Sequence, residues 1–345
     1  ALTLWTILDS TPTSERSNLG INRLRLDKDL RYGENLHLKI ITDLELFAGK
    51  SLRNPFWEAT ATPQDGVYWD FDGGEKHGSS LFSRQSLHRL YLTYETEGIR
   101  SDIGKQRIAW GVMRYWRPTD LFNPESPLQI QAGERLGIDA LRVKVPYGED
   151  NDVEAVYAPS RISGGESKAG KLHFIHNDYD MTIVGGQLGE TDLLGFSFDG
   201  YVGDGGLRGE ALHVDEIGRS PYWMFTIGGD YSFENNVNLT LEYFNNGGFA
   251  PVAINPLAAY QGIIRTQNRQ FLAFGYSKRV TSLSILSTFT AYDIEGNSFA
   301  FSPRLTWDFK QDKELTAGIT YFGGSQRGEY GNNPNTYYLQ LKSYF

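Results

Sequence analysis

The stretch 111–136 carries Arg114, Arg117, Asp120, Glu125, Glu134 and Arg135 among three prolines, Pro118, Pro124 and Pro127. Fixed cations and carboxylates facing one another across a narrow, water-filled gap set up a transverse field that sorts ions by charge. Proline restricts the backbone, so the stretch suits a fixed constriction better than a floppy loop tip. On that reading the constriction residues are Arg114, Arg117, Asp120, Glu125 and Arg135. A plainer reading stays open beside it. Arg117-Pro-Thr-Asp120 is then a turn whose Asp120 caps a short helix beginning near Leu121. The two are compatible, because a small helix inside a barrel is one way to narrow it.

Other reactive groupings are sparse. The six histidines, His37, His77, His88, His173, His176 and His213, form no metalloprotease motif, and there is no phosphate-binding glycine loop or G-x-S-x-G elbow. Nothing points to a catalytic site or to a cofactor. Cysteine is absent, which excludes disulfides, thiolate metal sites and covalent haem attachment. Asp70, Asp72 and Glu75 offer hard oxygen ligands to a calcium ion, but their spacing is not that of an EF-hand, and a solvated Asp-Gly turn explains them more simply. The aromatics beside them, Tyr68, Trp69 and Phe71, suit contact with a sugar or lipid headgroup, or packing within the loop. The formal net charge of -9 argues against nucleic acid as a partner.

The elements that must position these groups follow from a period of two, the mark of a strand, since successive side chains point to opposite faces. Tyr337, Leu339, Leu341 and Phe345 alternate with Tyr338, Gln340, Lys342 and Tyr344. Val237, Leu239, Leu241 and Tyr243 alternate with Asn238, Thr240 and Glu242. Trp223, Phe225, Ile227 and Tyr231 alternate with Met224, Thr226 and Asp230. Extending the pattern along the chain predicts strands near 1–9, 17–30, 35–47, 86–97, 100–110, 137–146, 151–159, 171–177, 179–188, 191–202, 207–215, 222–233, 237–246, 268–279, 282–293, 298–309, 313–324 and 335–345. That makes about eighteen, an even number of segments of a length that crosses a bilayer at a tilt. No window sustains a helical period, and no run reaches the ~18 apolar residues of a spanning helix. No secretory leader is visible at Ala1, so an exported chain would have to be met here in mature form.

Alternation alone fits a soluble β-sandwich as well as a membrane barrel. The connections separate them. Counting back from Phe345, every second turn is short: Arg31–Glu34, Glu97–Ser101, Tyr147–Asn151, Glu234–Asn236, Lys278–Ser282 and Lys310–Lys313. The long loops 48–85, 111–136, 160–170, 247–267 and 325–334 fall in the opposite set. Short turns at one end and long loops at the other are the asymmetry of an outer-membrane barrel. The expected fold is therefore all-β, a transmembrane antiparallel barrel of about 18 strands, one domain over 1–345, with an inward-folding loop near 111–136.

Parity then assigns the inner face. Arg89, Arg142, Lys144, Arg208, Arg304 and Lys342 alternate with apolar residues and should point inward, as should Asp43, Glu45, Glu95, Asp199, Glu210, Asp230, Glu242 and Asp308. An Arg or Lys on the lipid face near the midplane would cost about 2–4 kcal/mol. A mixed-sign interior fits either a hydrated pore or a closed barrel filled by ion pairs.

One stretch carries a resemblance. Asp102-Ile-Gly-Lys-Gln-Arg-Ile-Ala-Trp-Gly111, Arg117-Pro-Thr-Asp-Leu-Phe-Asn-Pro124, Glu134-Arg-Leu-Gly-Ile-Asp-Ala-Leu-Arg142 and Val156-Tyr-Ala-Pro159 resemble a group of uncharacterised proteobacterial outer-membrane barrels, porin-like in organisation. That group has a G-R-Q-x-x-x-W-G strand followed by a loop with P-T-D-x-x-N-P. Lys105 stands where the pattern usually has Arg. The final aromatic, Phe345, resembles the C-terminal mark of such barrels. The resemblance implies the bacterial outer membrane, contact with its lipid, and passage of small hydrophilic solutes through a charged lumen. Two alternatives stay open. One is a sheath around a periplasmic or extracellular protein partner, such as a multihaem electron carrier. The other is a substrate-specific transporter of a polysaccharide or lipid.

Overall fold

A computed structural model describes residues 1–10, 17–53, 68–122, 128, 137–250 and 263–345. Among them nineteen strands run β1 (Leu2–Ser10), β2 (Ser17–Tyr32), β3 (Leu36–Ala48), β4 (Gly73–Lys76), β5 (Leu81–Thr96), β6 (Ile99–Gln106), β7 (Ile138–Tyr147), β8 (Asn151–Ala158), β9 (Ser167–His176) and β10 (Tyr179–Leu188), then β11 (Thr191–Val202), β12 (Gly205–Glu216), β13 (Tyr222–Ser232), β14 (Val237–Asn246), β15 (Gln270–Thr281), β16 (Ser284–Asp293), β17 (Ser298–Lys310), β18 (Lys313–Gly324) and β19 (Asn335–Ser343). Eighteen of these, all but β4, pair antiparallel with their sequence neighbours, and β19 pairs back onto β1 from Leu2↔Ser343 to Ser10↔Asn335. The sheet is thereby a closed barrel with no free edge, the form in which strands can cross a bilayer with every backbone group paired.

The faces sort as the alternation requires. On β14, Leu241 is 57% exposed outward while its neighbours Glu242 and Phe244 are buried inward. On β13, Trp223, Phe225, Ile227 and Tyr231 stand exposed outside, with Met224 and Thr226 buried inside. Leu4, Leu26, Leu44, Ile103, Leu141, Leu194, Leu272, Leu305, Ile319 and Leu339 continue this exposed apolar surface around the barrel. A surface of that extent in water would be a heavy cost, whereas hydrocarbon solvates it. The barrel is transmembrane.

Turns of two to four residues join the strands at one end, from 33–35 and 97–98 to 282–283 and 311–312. The turn residues explain their tightness. Asn177 and Asp178 both take positive φ, the conformation of a two-residue type I′ hairpin, and Gly33, Gly203, Asn236 and Asp312 each supply one positive φ in other turns. The long connections, those after β3 and β6 among them, leave the wall at the other end.

The eighteen predicted strands match eighteen of the nineteen in order, with three differences in bounds and one strand, β4, that was not predicted. The 86–97 segment begins earlier, at Leu81, because Leu81–Gln85 pair with Ala48–Leu44 of β3 on one side and Phe82–Gln85 pair with β4 on the other. A bulge between Ile41 and Thr42 shifts that register, which breaks the period of two near His88 and hides the start of the strand. The 100–110 segment ends at Gln106; Ile108 and Trp110 keep the alternation but leave the wall for the lumen. The 171–177 segment starts at Ser167, in a run too poor in apolar residues to announce a strand. The short strand β4, within a stretch read from sequence as loop, had no signal of its own. It occupies the β5 edge beyond the end of β6, and the Leu87 amide beside it donates to Asp72 Oδ1 at 2.6 Å.

Candidate functional site

After Gln106 the chain turns into the barrel, and residues 107–122 lie against the inner wall. Three wall carboxylates fasten them. Glu154, midway along β8, accepts the indole N–H of Trp110 at 2.6 Å. Glu210 of β12 accepts the backbone N–H groups of Val112 (2.6 Å) and Met113 (2.8 Å) on Oε1, and the N–H and hydroxyl of Thr119, both at 2.8 Å, on Oε2. Glu242 of β14 accepts those of Arg114 (2.6 Å), Tyr115 (3.1 Å) and Trp116 (3.4 Å). A loop packed inside a barrel leaves amides that water would otherwise satisfy. Ionised carboxylates are the strongest acceptors the wall can offer them. Gly111 permits the approach, since a Cβ there would lie 2.6 Å from Arg117 Cβ and 3.1 Å from Glu210 Oε1.

Apolar packing completes the seat. Ile108, Trp110, Met113, Trp116, Leu121 and Phe122 are all buried. The Trp116 indole stacks on Phe244 at 5.4 Å between centroids and meets Phe271 at 5.8 Å; Trp110 meets Phe122 edge-on at 5.2 Å. Inward Val184, Leu212, Val214 and Met224, on β10, β12 and β13, are buried in the same cluster. The wall is thus apolar inside as well as outside where the loop lies, and small residues, Ala273, Ala291 and Ala300, make room for the rings.

The candidate constriction residues behave differently from one another. Among those described, Arg114 is the most open to the lumen, with its side chain 54% exposed and Nη2 3.9 Å from Asp230 of β13. Arg117 folds back onto its own loop and gives Nε to the Met113 carbonyl at 2.5 Å. Asp120 is fully buried. Burial pushes its carboxyl up to about 7; Arg117 opposes that rise and the Glu210 charge adds to it. Glu125 and Arg135 lie outside the described residues, as does most of the helix expected from Leu121. Residues 118–119 form a turn, as the plainer reading has it.

The wall residues read from parity face inward but do unlike things. Glu210 and Glu242 are covered by the loop rather than open to water. Arg208 is bound to Asp199 at 2.9 Å and to Asp230. Arg142 reaches Glu154 at 2.7 Å, and Lys144 reaches Asp152 at 3.0 Å. Glu95, exposed near the short-turn end, pairs with Arg100 at 3.4 Å. Arg89 is buried, with Nη1 on the His88 carbonyl. On β17 and β19, Arg304 is exposed and hydrogen-bonds Ser287, Asp308 is exposed, and Lys342 pairs with Glu314 at 3.7 Å. On β2, β3 and β5, Asp43 and Glu45 gather Arg23, Arg25, Arg84 and His88 into one network.

Glu154, Lys171, Arg23 and Arg84 were missed in the sequence, although Glu154 alternates with Val153 and Ala155 and the same parity would have found it. Among the described residues no three His, Asp or Glu side chains converge as metal ligands do. Asp72 of the calcium candidate instead braces β5.

No protein-family model matches the chain, and no curated protein sequence matches it. Solved structures do match in fold. OccAB1 of Acinetobacter baumannii aligns with a TM-score of 0.64 at 10% identity, over 99% of this chain and 94% of its own. OccK8 (OprE) of Pseudomonas aeruginosa aligns at 0.60 and 10% identity, over 99% and 96%. OccK11 (OpdR) of the same organism gives 0.59 and 10%, over 99% and 94%. At such identities the likeness is one of fold.

Proposed function

We propose that the chain is a porin-like channel of the bacterial outer membrane. Residues 1–345 form one barrel domain in contact with membrane lipid. Small hydrophilic solutes cross by diffusion through its lumen, at a constriction built from residues 107–122 and the wall opposite them.

The observation that carries this reading is the seating of the loop. Its backbone is fixed by Glu210 and Glu242 near the middle of β12 and β14, so it narrows the lumen at mid-depth rather than capping its mouth. Its open side presents Arg114, and exposed Arg304 stands nearby on β17, next to β16, whose Phe289 packs on Tyr115 of the loop at 4.5 Å. Two cations in a confined aqueous section favour anions over cations. Arg117 and Asp120 act by shaping the loop. The wall pairs Arg208–Asp230 and Arg142–Glu154 line the approach.

A sheath around a protein partner fits this interior less well, because the chain's own loop occupies the space such a partner would need. No catalytic role is assigned to any residue. The test is single-channel recording from the purified protein in a planar bilayer under a salt gradient. Discrete conductance steps with an anion-favouring reversal potential support the reading; a barrel that stays silent in salt counts against it.

A further inference from the structure

The loop brings a third carboxyl to the place where Glu210 and Glu242 already hold its amides. Asp120 follows directly on Thr119, whose N–H and hydroxyl are both bound to Glu210, and it is sealed from the lumen. The charges facing it are few. From the loop come Arg117, whose Nε is committed to the Met113 carbonyl, and Arg107; from β12 comes Glu210. Glu242 of β14 holds the neighbouring residues 114–116, and Glu154 of β8 holds Trp110. At the positions paired with Glu210 the neighbouring strands supply hydroxyls, Ser197 of β11 and Thr226 of β13, and two residues along β12 lies Arg208, bound to Asp199 of β11 and Asp230 of β13. Like charges crowded away from water are relieved when one of them takes a proton.

We propose, building on the channel reading, that seating of the 107–122 loop against β12 and β14 is coupled to proton uptake by Asp120, so that acid holds the constriction closed and rising pH loosens it. With the loop lifted, Asp120 meets lumen water and titrates near its ordinary 3.8; seated, it titrates near 7. Over that interval the seated loop binds a proton that the lifted loop lacks. The stability of seating is complete below the ordinary value and is lost as pH rises through about 7, by up to about tenfold in the equilibrium constant per pH unit. Above that pH both states are ionised and the dependence ends. Asp120 is a positioning residue here: it acts on the solute path through the loop that carries it.

Hydrogen exchange on the full-length protein in detergent tests this, with rates corrected for the intrinsic effect of pH. In the wild type, protection of the Val112, Met113 and Thr119 amides should fall by about tenfold or more between pH 5 and pH 8, while strand amides hold. In Asp120→Asn, a neutral near-isostere, protection should stay level across the same range. Glu210→Gln, which removes the neighbouring charge, should move the midpoint of any remaining transition toward acid. Wild-type protection that does not change with pH overturns the proposal. So does an Asp120→Asn variant that loses protection as the wild type does, or a midpoint unmoved in Glu210→Gln. Exchange needs no ion flow, so a silent bilayer counts against the channel reading without touching this result.

Discussion

Thr119 gives both its backbone N–H and its hydroxyl to Oε2 of Glu210, each at 2.8 Å and from 91 residues away in the chain. The contact joins a loop that leaves the wall after β6 to a strand on a distant part of the barrel, and it fixes how far the loop reaches into the lumen.

Glu210→Ala should therefore widen the channel. It strands the amides of Val112, Met113 and Thr119 inside the barrel, and each buried donor left unpaired costs about 1–3 kcal/mol. The loop should lift from the wall while the strand ladder stays whole. Single-channel conductance should rise and become noisier, with circular dichroism unchanged. Conductance equal to wild type would show that the loop is held by other means.

The aromatic seat can be tested separately. Trp116→Ala removes a buried indole from its stack on Phe244 and Phe271, at a cost of about 3–5 kcal/mol. Limited proteolysis should then cut within 107–122 at protease levels that leave the wild type intact. Equal resistance would mean that the three carboxylates alone seat the loop.

Two of the loop arginines, Arg114 and Arg117, should separate under a salt gradient. Arg114 is open to the lumen and Arg117 is turned onto the Met113 carbonyl. Arg114→Ala should move the reversal potential toward cations by more than Arg117→Ala does, whereas Arg117→Ala should chiefly alter conductance through the shape of the loop. The reverse order would place the selecting charge on Arg117.

At the long-loop end, Glu329 accepts the Gln267 N–H at 2.7 Å and so ties 325–334 to the segment before β15. Burial pushes its carboxyl up to about 7, the Gln267 hydrogen bond opposes this, and the Asp293 charge adds to it. The native state thus holds a proton that a released loop gives up, and the tie is strongest in acid and weakens as pH rises through about 7. Exchange of the Gln267 amide should accelerate over that range beyond its intrinsic rate, and Glu329→Gln should remove the excess. A wild-type rate that follows the intrinsic pH dependence would contradict this.

The barrel was legible because its physics is local. A strand between lipid and water must alternate, so Leu239, Leu241 and Tyr243 reveal their own geometry without reference to any other strand. The site was legible only in part. Arg114 and Asp120 stand out by type and by the prolines around them, and parity turns Glu210 and Glu242 inward. That both carboxylates would be spent on backbone amides could not be read, since those amides belong to residues 91 to 128 positions away and carry no side-chain mark. Ile108 and Trp110 misled for a related reason. Apolar alternation shows that a face is buried but not whether lipid or the chain's own interior buries it. The β4 strand was silent because Gly73-Gly-Glu-Lys76 forms a ladder only where β6 has vacated the β5 edge.

The most direct measurement is single-channel conductance in a planar bilayer, comparing wild type with a variant in which residues 112–119 are replaced by a flexible Gly-Ser segment of equal length. If the inward loop is the constriction of an open channel, the wild type shows discrete anion-favouring steps. The variant then shows larger steps with the preference reduced. Steps of the same size and selectivity in both proteins would contradict the account, because the solute path would then lie elsewhere in the barrel.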